Sequence, residues 1–208
     1  MPAPDRNLAA IVLAAGMSRR MGRLKMLLPF GGKPMLARVI ESLVACREIA
    51  AIKVVTGHAE QEIKAAIGEY ESVQWVFNGD HAAGGMLSSV QSGVRALPAS
   101  RDAFFLALGD QPMVLPETLE AMTVAWNADI ARIVIPTYGE KRGHPVLIST
   151  AFSAEILALG EGETLKTLMI RHEREVVEVP VSDPGTVQDV DTPEDYEAAL
   201  QRWLGLEH

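Results

Sequence analysis

Thirteen residues, Leu13-Ala14-Ala15-Gly16-Met17-Ser18-Arg19-Arg20-Met21-Gly22-Arg23-Leu24-Lys25, hold the densest chemistry of this sequence. Arg19, Arg20, Arg23 and Lys25 place four cations within seven residues, directly behind the apolar run Leu8 to Leu13. A glycine-bearing loop that leaves a buried strand turns backbone N–H groups toward an anion, and Ser18 adds a hydroxyl donor. The anion such a loop suits is a phosphate chain. The loop follows neither GxxxxGK[ST] nor GxGxxG, so the usual ATPase and dinucleotide readings lose their main support. A flexible turn with solvated charges is the alternative, and the position at the end of a first strand, where α/β sheets bind ligands, argues against it.

Carboxylates recur at two further places. Asp110, in Leu108-Gly109-Asp110-Gln111-Pro112, stands at the C-terminal end of the apolar run Phe104 to Ala107. There it can hold Mg²⁺ against phosphate oxygens, with Gly109 permitting close approach, although a turn in which the Asp bonds its own backbone fits the same residues. Asp189 and Asp191 alternate in Gln188-Asp189-Val190-Asp191-Thr192-Pro193-Glu194-Asp195 and, if extended, point the same way. They offer a second carboxylate set and also favour the positive end of a following helix. Ser88 and Ser89, after Gly84 and Gly85, are placed to meet a ribose or base, or simply to cap a helix. Gly143-His144-Pro145 can contribute to an acceptor pocket. His144, His58, His81 and His172 form no metal-ligand spacing, and there is no GxSxG elbow.

These residues need a scaffold, and the hydrophobic pattern supplies one. Leu8–Leu13, Ile52–Thr56 and Val73–Phe77 read as strands, separated by helices over Met35–Ala45, with its apolar face at Leu36, Val39, Ile40, Leu43 and Val44, and over Ala59–Ile67. A helix at Met86–Leu97, a strand at Ala103–Leu108, a helix at Glu117–Trp126 and a strand at Ile133–Thr137 continue the alternation. The turn Tyr138–Gly143 before Val146-Leu147-Ile148 predicts an antiparallel excursion, hence a mixed, mostly parallel sheet in a three-layer α/β/α fold. Val176–Val181, interrupted by Pro180, is one more strand, and Thr192 with Pro193 and Asp195 opens a final helix. With 208 residues, no repeat and no linker, one domain over residues 1–208 is expected.

Composition narrows the function. Net charge is −8, against nucleic-acid or anionic-membrane binding. Yet between Arg6 and Ile40 there are seven cations and no acid, a local basic segment suited to a small anion. No apolar run approaches the roughly 18 residues of a membrane span, and Met1-Pro2-Ala3-Pro4-Asp5-Arg6 is not a signal peptide, so a cytoplasmic protein is expected. Cys46, the only cysteine, sits in the expected first helix and reads as a small buried hydrophobe.

In this order the motifs AAGMSRRMGRLKMLLP (Ala14 to Pro29), VTG (Val55 to Gly57), GGMLSSV (Gly84 to Val90), GDQP (Gly109 to Pro112), GHPVL (Gly143 to Leu147) and DVDTPEDY (Asp189 to Tyr196) resemble the nucleotidyltransferases that activate the molybdenum cofactor, its cytidylyltransferase branch above all. The resemblance implies a Rossmann-like nucleotide-diphosphate transferase fold, Mg²⁺, CTP as donor and a molybdenum-carrying molybdopterin as acceptor, with a molybdoenzyme receiving the product. It implies that the backbone of Leu13, Ala14, Ala15 and Gly16 approaches the nucleotide together with Ser18, Thr56, Gly57, Asn78, Gly85, Ser88 and Ser89. By the same likeness, Arg20 and Lys25 hold phosphates, Asp110 and Asp191 bind Mg²⁺, and Gln111, Gly143, His144, Pro145 and Asp189 face the acceptor. Guanylyltransferase relatives read Ala-Gly-Gly where this chain has Ala14-Ala15-Gly16, and the Ala15 methyl leaves room that favours a pyrimidine. The first motif is shared with sugar-phosphate and isoprenoid-precursor transferases, and a nucleotide-binding accessory protein without chemistry is the alternative from another class.

Overall fold

The structure is a computed structural model that describes residues 8–126 and 133–206. Arg6, counted in the basic segment, lies outside the described residues. β1 (Leu8–Leu13) leads through the basic loop and a 3-10 turn (Lys25–Leu27) to a small hairpin, β2 (Pro29–Phe30) with β3 (Lys33–Pro34). Then come α1 (Met35–Ala45), β4 (Ile49–Thr56), α2 (Glu60–Ile67), β5 (Val73–Phe77), α3 (Gly85–Arg95), β6 (Ala103–Leu108) and α4 (Pro116–Trp126). The second half holds β7 (Ile133–Tyr138), β8 (Lys141–Arg142), β9 (Val146–Ser149), α5 (Ser153–Ala158), α6 (Leu165–Arg171), β10 (Val176–Pro180) and α7 (Pro193–Leu206).

The main sheet runs β10-β7-β9-β6-β1-β4-β5, with β8 paired to β7. β1 is parallel to both β4 and β6 and buried on both faces, which is why Leu-Ala-Ala-Ile-Val-Leu shows no polar alternation. The predicted excursion is present. The β7–β8 turn reverses the chain, and β9 enters between β7 and β6 antiparallel to each, so the sheet is mixed. β10 pairs parallel with β7 at the sheet edge, where Pro180 closes a strand that has no further neighbour among the described residues.

Helices cover both faces. Ala10, Val12, Val54 and Phe105 point one way, against Leu36, Ile40 and Leu43 of α1, Ile63 of α2 and Leu119 and Met122 of α4. Ala9, Ile11, Val55, Phe104 and Leu106 point the other way, against Val90 and Val94 of α3, Ile156 of α5 and Leu168 of α6. Fully burying side chains of this size contributes about 1.5–3 kcal/mol each. Gly93 lets α3 lie directly on β1, since a Cβ there would collide with Ile11 Cγ2. A third cluster, Phe30, Met35, Met113, Val190, Tyr196 and Ala199, seats α7 under the loop that follows β1.

Several sequence expectations are refined. Val44 is 44% exposed, because Leu36, Val39, Ile40 and Leu43 already fill the buried stripe of α1 and Val44 falls on its flank. β4 begins at Ile49 rather than Ile52, and α3 ends at Arg95 rather than Leu97. The loop read through to Pro34 contains the β2–β3 hairpin. α5 and α6 are too short for a helical period to register, although Thr164 and Thr167 cap α6 reciprocally. Cys46 ends α1 as a buried free thiol, and burial raises its pKa to about 11. No described helix is long and apolar enough to cross a membrane.

Candidate active site

Three parallel strands finish side by side. The register sets Leu13 of β1 beside Val55 of β4 and beside Leu108 of β6, so Ala14–Gly16, Thr56-Gly57 and Gly109-Asp110 emerge at one edge. Ala14 N–H donates to the Val55 carbonyl (2.8 Å), and Gly109 N–H to the Leu13 carbonyl (3.0 Å). A Cβ on Gly109 would meet that Leu13 oxygen at 2.9 Å, so only glycine brings Asp110 this close to β1.

The distant Asp189-Val190-Asp191 segment is sewn onto this edge. Val190 N–H donates to the Asp110 carbonyl (3.0 Å), and Gln111 Nε2 to Asp189 Oδ1 (2.7 Å). Asp195 Oδ2 accepts from the Thr192 N–H (2.9 Å) and the Asp191 N–H (3.2 Å), while Asp195 N–H donates to Thr192 Oγ1 (3.2 Å). This reciprocal cap starts α7 and fixes the orientation of Asp191. Thr192→Ala is expected to cost about 1 kcal/mol, a melting shift of roughly 2–4 °C for a chain of this size. Hydrogen bonds from Thr192 first, and from the Asp191 backbone, hold Asp195 below the usual carboxylate range. The cap's contribution is therefore present at neutral pH and lost as pH falls through that depressed value. Melting curves should show the Thr192→Ala deficit shrinking on acidification.

Inside the basic loop Ser18 adopts φ 50°. Its carbonyl accepts from Met21 and Gly22, and its Oγ from the Lys25 N–H (3.1 Å), so the loop folds back and carries Lys25 inward. The Lys25 side chain is 9% exposed, and its Nζ donates to Asp110 Oδ2 (2.5 Å) and Asp191 Oδ1 (2.7 Å). Arg20 reaches Asp191 Oδ2 (2.7 Å) from solvent, 71% exposed, and that pair adds little to stability. Arg19 and Arg23 stay exposed.

The charges are unevenly matched. Burial disfavours the Lys25 ammonium, but Asp110 and Asp191 outweigh it and hold its pKa above the ordinary value. The hydrogen bond from Lys25 holds Asp191 low. Burial pushes Asp110 up, Lys25 pulls against it, and the neighbouring Asp189 and Asp191 add to the rise. Burial likewise lowers His144, against the fields of Asp189 and Asp110. Three carboxylates thus share one end of the cleft with two cations, an arrangement short of positive charge. Among the described residues no three His, Cys, Asp or Glu converge as a ready metal cage. Asp110 and Asp191, both touching one ammonium nitrogen, instead present two hard oxygen donors of the kind that would fit a divalent ion needing further ligands from outside the protein.

The cleft is lined by Leu13, Ala15, Gly16, Arg20, Lys25, Gly85, Ser89, Asp110, Asp189 and Asp191 among the residues marked by sequence. Others sit behind its walls. Ala14, Thr56, Gly57 and Asn78 are buried, Thr56 Oγ1 turning to the Val76 carbonyl and Asn78 Nδ2 donating to Ser88 and Ser89 Oγ (2.9 Å each). Gln111, Gly143 and Pro145 are buried too, with Gly143 pressed on Thr186 and the His144 N–H donating to the Thr186 carbonyl (2.8 Å). Met17, Met26, His81, Ala82, Met86 and Leu108 complete the lining and were not among the residues assigned a role from the sequence. Met17, Met26 and Met86 lie within the quoted motifs, but a methionine carries no chemistry that singles it out there, and a histidine without ligand spacing carries no pattern. Asp183 was equally silent, although it ties the 183–188 segment to α4 through Leu115 N–H (2.9 Å) and Thr118 Oγ1 (2.8 Å).

A mixed doubly wound sheet with a basic glycine loop and facing carboxylates at its C-terminal edge is the framework of a nucleotidyltransferase. The chain belongs to the family of MobA-like NTP transferase domains, which matches residues 10–176. The molybdenum cofactor cytidylyltransferase of Escherichia coli (strain K12) is 26% identical over 196 residues, 94% of this chain and 97% of that one. Among solved structures, the Rv0371c homolog of Mycobacterium sp. strain JC1 superposes with a TM-score of 0.84 at 26% identity, over 96% of this chain and 98% of that chain. Rv0371c of Mycobacterium tuberculosis H37Rv, in a complex with manganese, gives a TM-score of 0.77 at 26% identity, over 94% of this chain and 98% of that chain. The likeness read from the motifs therefore holds at the level of the family.

Proposed function

We propose that this NTP transferase moves CMP from CTP to the phosphate of a molybdenum-carrying molybdopterin and releases pyrophosphate, handing a cytosine dinucleotide form of the cofactor to a molybdoenzyme in the cytoplasm. One observation carries the proposal: Lys25 and Arg20, the loop cations, are held against Asp110 and Asp191, so cations suited to phosphate and carboxylates suited to a metal meet at one point of the cleft. The E. coli cytidylyltransferase, alike over nearly the full length of both chains, supports the choice of substrates.

In this reading the backbone of Leu13, Ala14, Ala15 and Gly16 lies along the nucleotide, with Ser18 bracing the loop and Thr56, Gly57, Asn78, Gly85, Ser88 and Ser89 forming and supporting the nucleoside end. Lys25 and Arg20 turn from the carboxylates to the triphosphate. Asp110 and Asp191 would hold Mg²⁺, and the chemistry it would supply when bound is charge neutralisation for the triphosphate and the departing pyrophosphate. An acceptor phosphate oxygen, placed by Asp189 and His144 over the buried Gln111, Gly143 and Pro145, attacks the α-phosphorus in line. The new P–O bond forms as the bond to the pyrophosphate oxygen breaks, and no protein nucleophile takes part.

Pyrophosphate release in the presence of Mg²⁺ tests this. CTP with the molybdopterin acceptor should turn over at least tenfold more efficiently than GTP with the same acceptor, or than CTP with a sugar 1-phosphate or an isoprenoid-precursor phosphate. A preference for GTP or for another acceptor would reassign the substrates, and nucleotide binding without pyrophosphate release from any pair would make the chain an accessory protein.

A further inference from the structure

The cleft has two chemically different ends. At one, Lys25 and Arg20 hold Asp110 and Asp191 with Asp189 beside them, while at the other His81, Gly85 and Ser89 gather around Asn78 without a permanent charge. A nucleoside triphosphate spanning the cleft puts its phosphates at the first end and its base at the second.

Few polar groups at the base end are free to read a base. Ser88 Oγ donates to the Gly85 carbonyl (3.0 Å) and accepts from Asn78 Nδ2 (2.9 Å), so it is committed to holding the loop. Ser89 Oγ accepts from the same amide, and Asn78, 2% exposed, also takes the Asp80 N–H on its Oδ1 (3.0 Å). His81 differs. Its Nδ1 stands 3.0 Å from the Asn78 carbonyl, which can only accept, so in the neutral ring the proton is on Nδ1 and Nε2 carries a lone pair. No group among the described residues hydrogen-bonds that Nε2. The ring is also fixed in place. A Cβ on Gly57 would stand 2.5 Å from His81 Cβ and Cγ, and Phe77 tilts against the ring with centroids 6.1 Å apart. Gly57 thus leaves the space that His81 fills.

The geometry points to His81 as the residue that selects the base, accepting through Nε2 a hydrogen bond from an exocyclic amine. Cytosine donates from such an amine, whereas uracil presents a carbonyl at the same position and would set lone pair against lone pair. The inference rests on the reading of the chain as a cytidylyltransferase, and it explains how a pocket without charged groups tells two pyrimidines of the same size apart.

Calorimetric binding of CTP, UTP and GTP, each with Mg²⁺, to the native chain and to His81→Phe is the test. Phe keeps the ring against Gly57 and Phe77 and removes the acceptor. The native chain should bind CTP about tenfold or more tightly than UTP, and His81→Phe should bring the two within about twofold, by losing CTP affinity rather than gaining UTP affinity. A CTP preference that survives in a folded His81→Phe overturns the role of His81 while leaving the cytidylyl reading intact. A native chain that prefers GTP to CTP overturns the cytidylyl reading itself. Should the variant fail to fold, the native protein still decides: the triphosphate of pyrimidin-2-one riboside, which lacks the amine, should bind no better than UTP, and binding equal to CTP overturns the proposal.

Discussion

Lys25→Met is expected to bind Mn²⁺ in the absence of nucleotide about tenfold more tightly than the native chain, and to bind the metal–CTP complex about 10- to 100-fold more weakly. Both effects come from one geometry, in which the Lys25 ammonium sits between Asp110 and Asp191 at 2.5 and 2.7 Å. A metal ion alone must displace or face that ammonium, and a free triphosphate must face Asp110, Asp189 and Asp191. Each ligand would remove the charge that opposes the other, so the native chain is expected to bind the two with reciprocal positive coupling. Methionine retains most of the alkyl volume and deletes the charge. The loss with the metal–CTP complex is that of a charge-assisted hydrogen bond, about 1.5–3 kcal/mol. Paramagnetic resonance of free Mn²⁺ measures the first affinity and calorimetry the second. Weaker nucleotide binding with no gain in metal binding would show that Lys25 does not occupy the metal's place.

Asp110→Asn is expected to lower kcat/KM by about 10³-fold, equivalent to about 4 kcal/mol of transition-state stabilisation, while the protein still folds. The amide fills the same space behind Gly109 but offers a metal no charge. Folding should tolerate the change because burial already disfavours the ionised carboxyl and holds its pKa above the ordinary value. Sign matters here. A raised folded-state pKa means that ionising Asp110 costs stability as pH rises through that value, so the Asn variant should melt at the native temperature or slightly above it at neutral pH and show a flatter acid-side profile. Turnover at limiting and saturating Mg²⁺, read beside melting curves, separates the two effects. Native-like turnover at limiting Mg²⁺ would reduce Asp110 to a turn residue, and a large drop in melting temperature would make its ion pair with Lys25 structural.

The sequence by itself determined the alternation of strands and helices, the position of the phosphate loop and the antiparallel excursion, because these are written in local periodicity, in glycine placement and in the clustering of Arg19, Arg20, Arg23 and Lys25. Motif order brought the family within reach for the same reason. Tertiary structure decided which marked residues line the cleft. Asn78 and Gln111 look like ligand groups in the sequence, yet burial turns their amides to Ser88, Ser89 and Asp189, since a buried polar group must find partners inside the protein. Lys25 and Asp191 are 166 positions apart, and only the shared register of β1 and β6, with Val190 bound to Asp110, makes them neighbours. His81 shows the same limit from the other side. Its type and spacing announce nothing, and its place in the cleft comes from a missing side chain at Gly57 on another strand end, a long-range fit that no local pattern records.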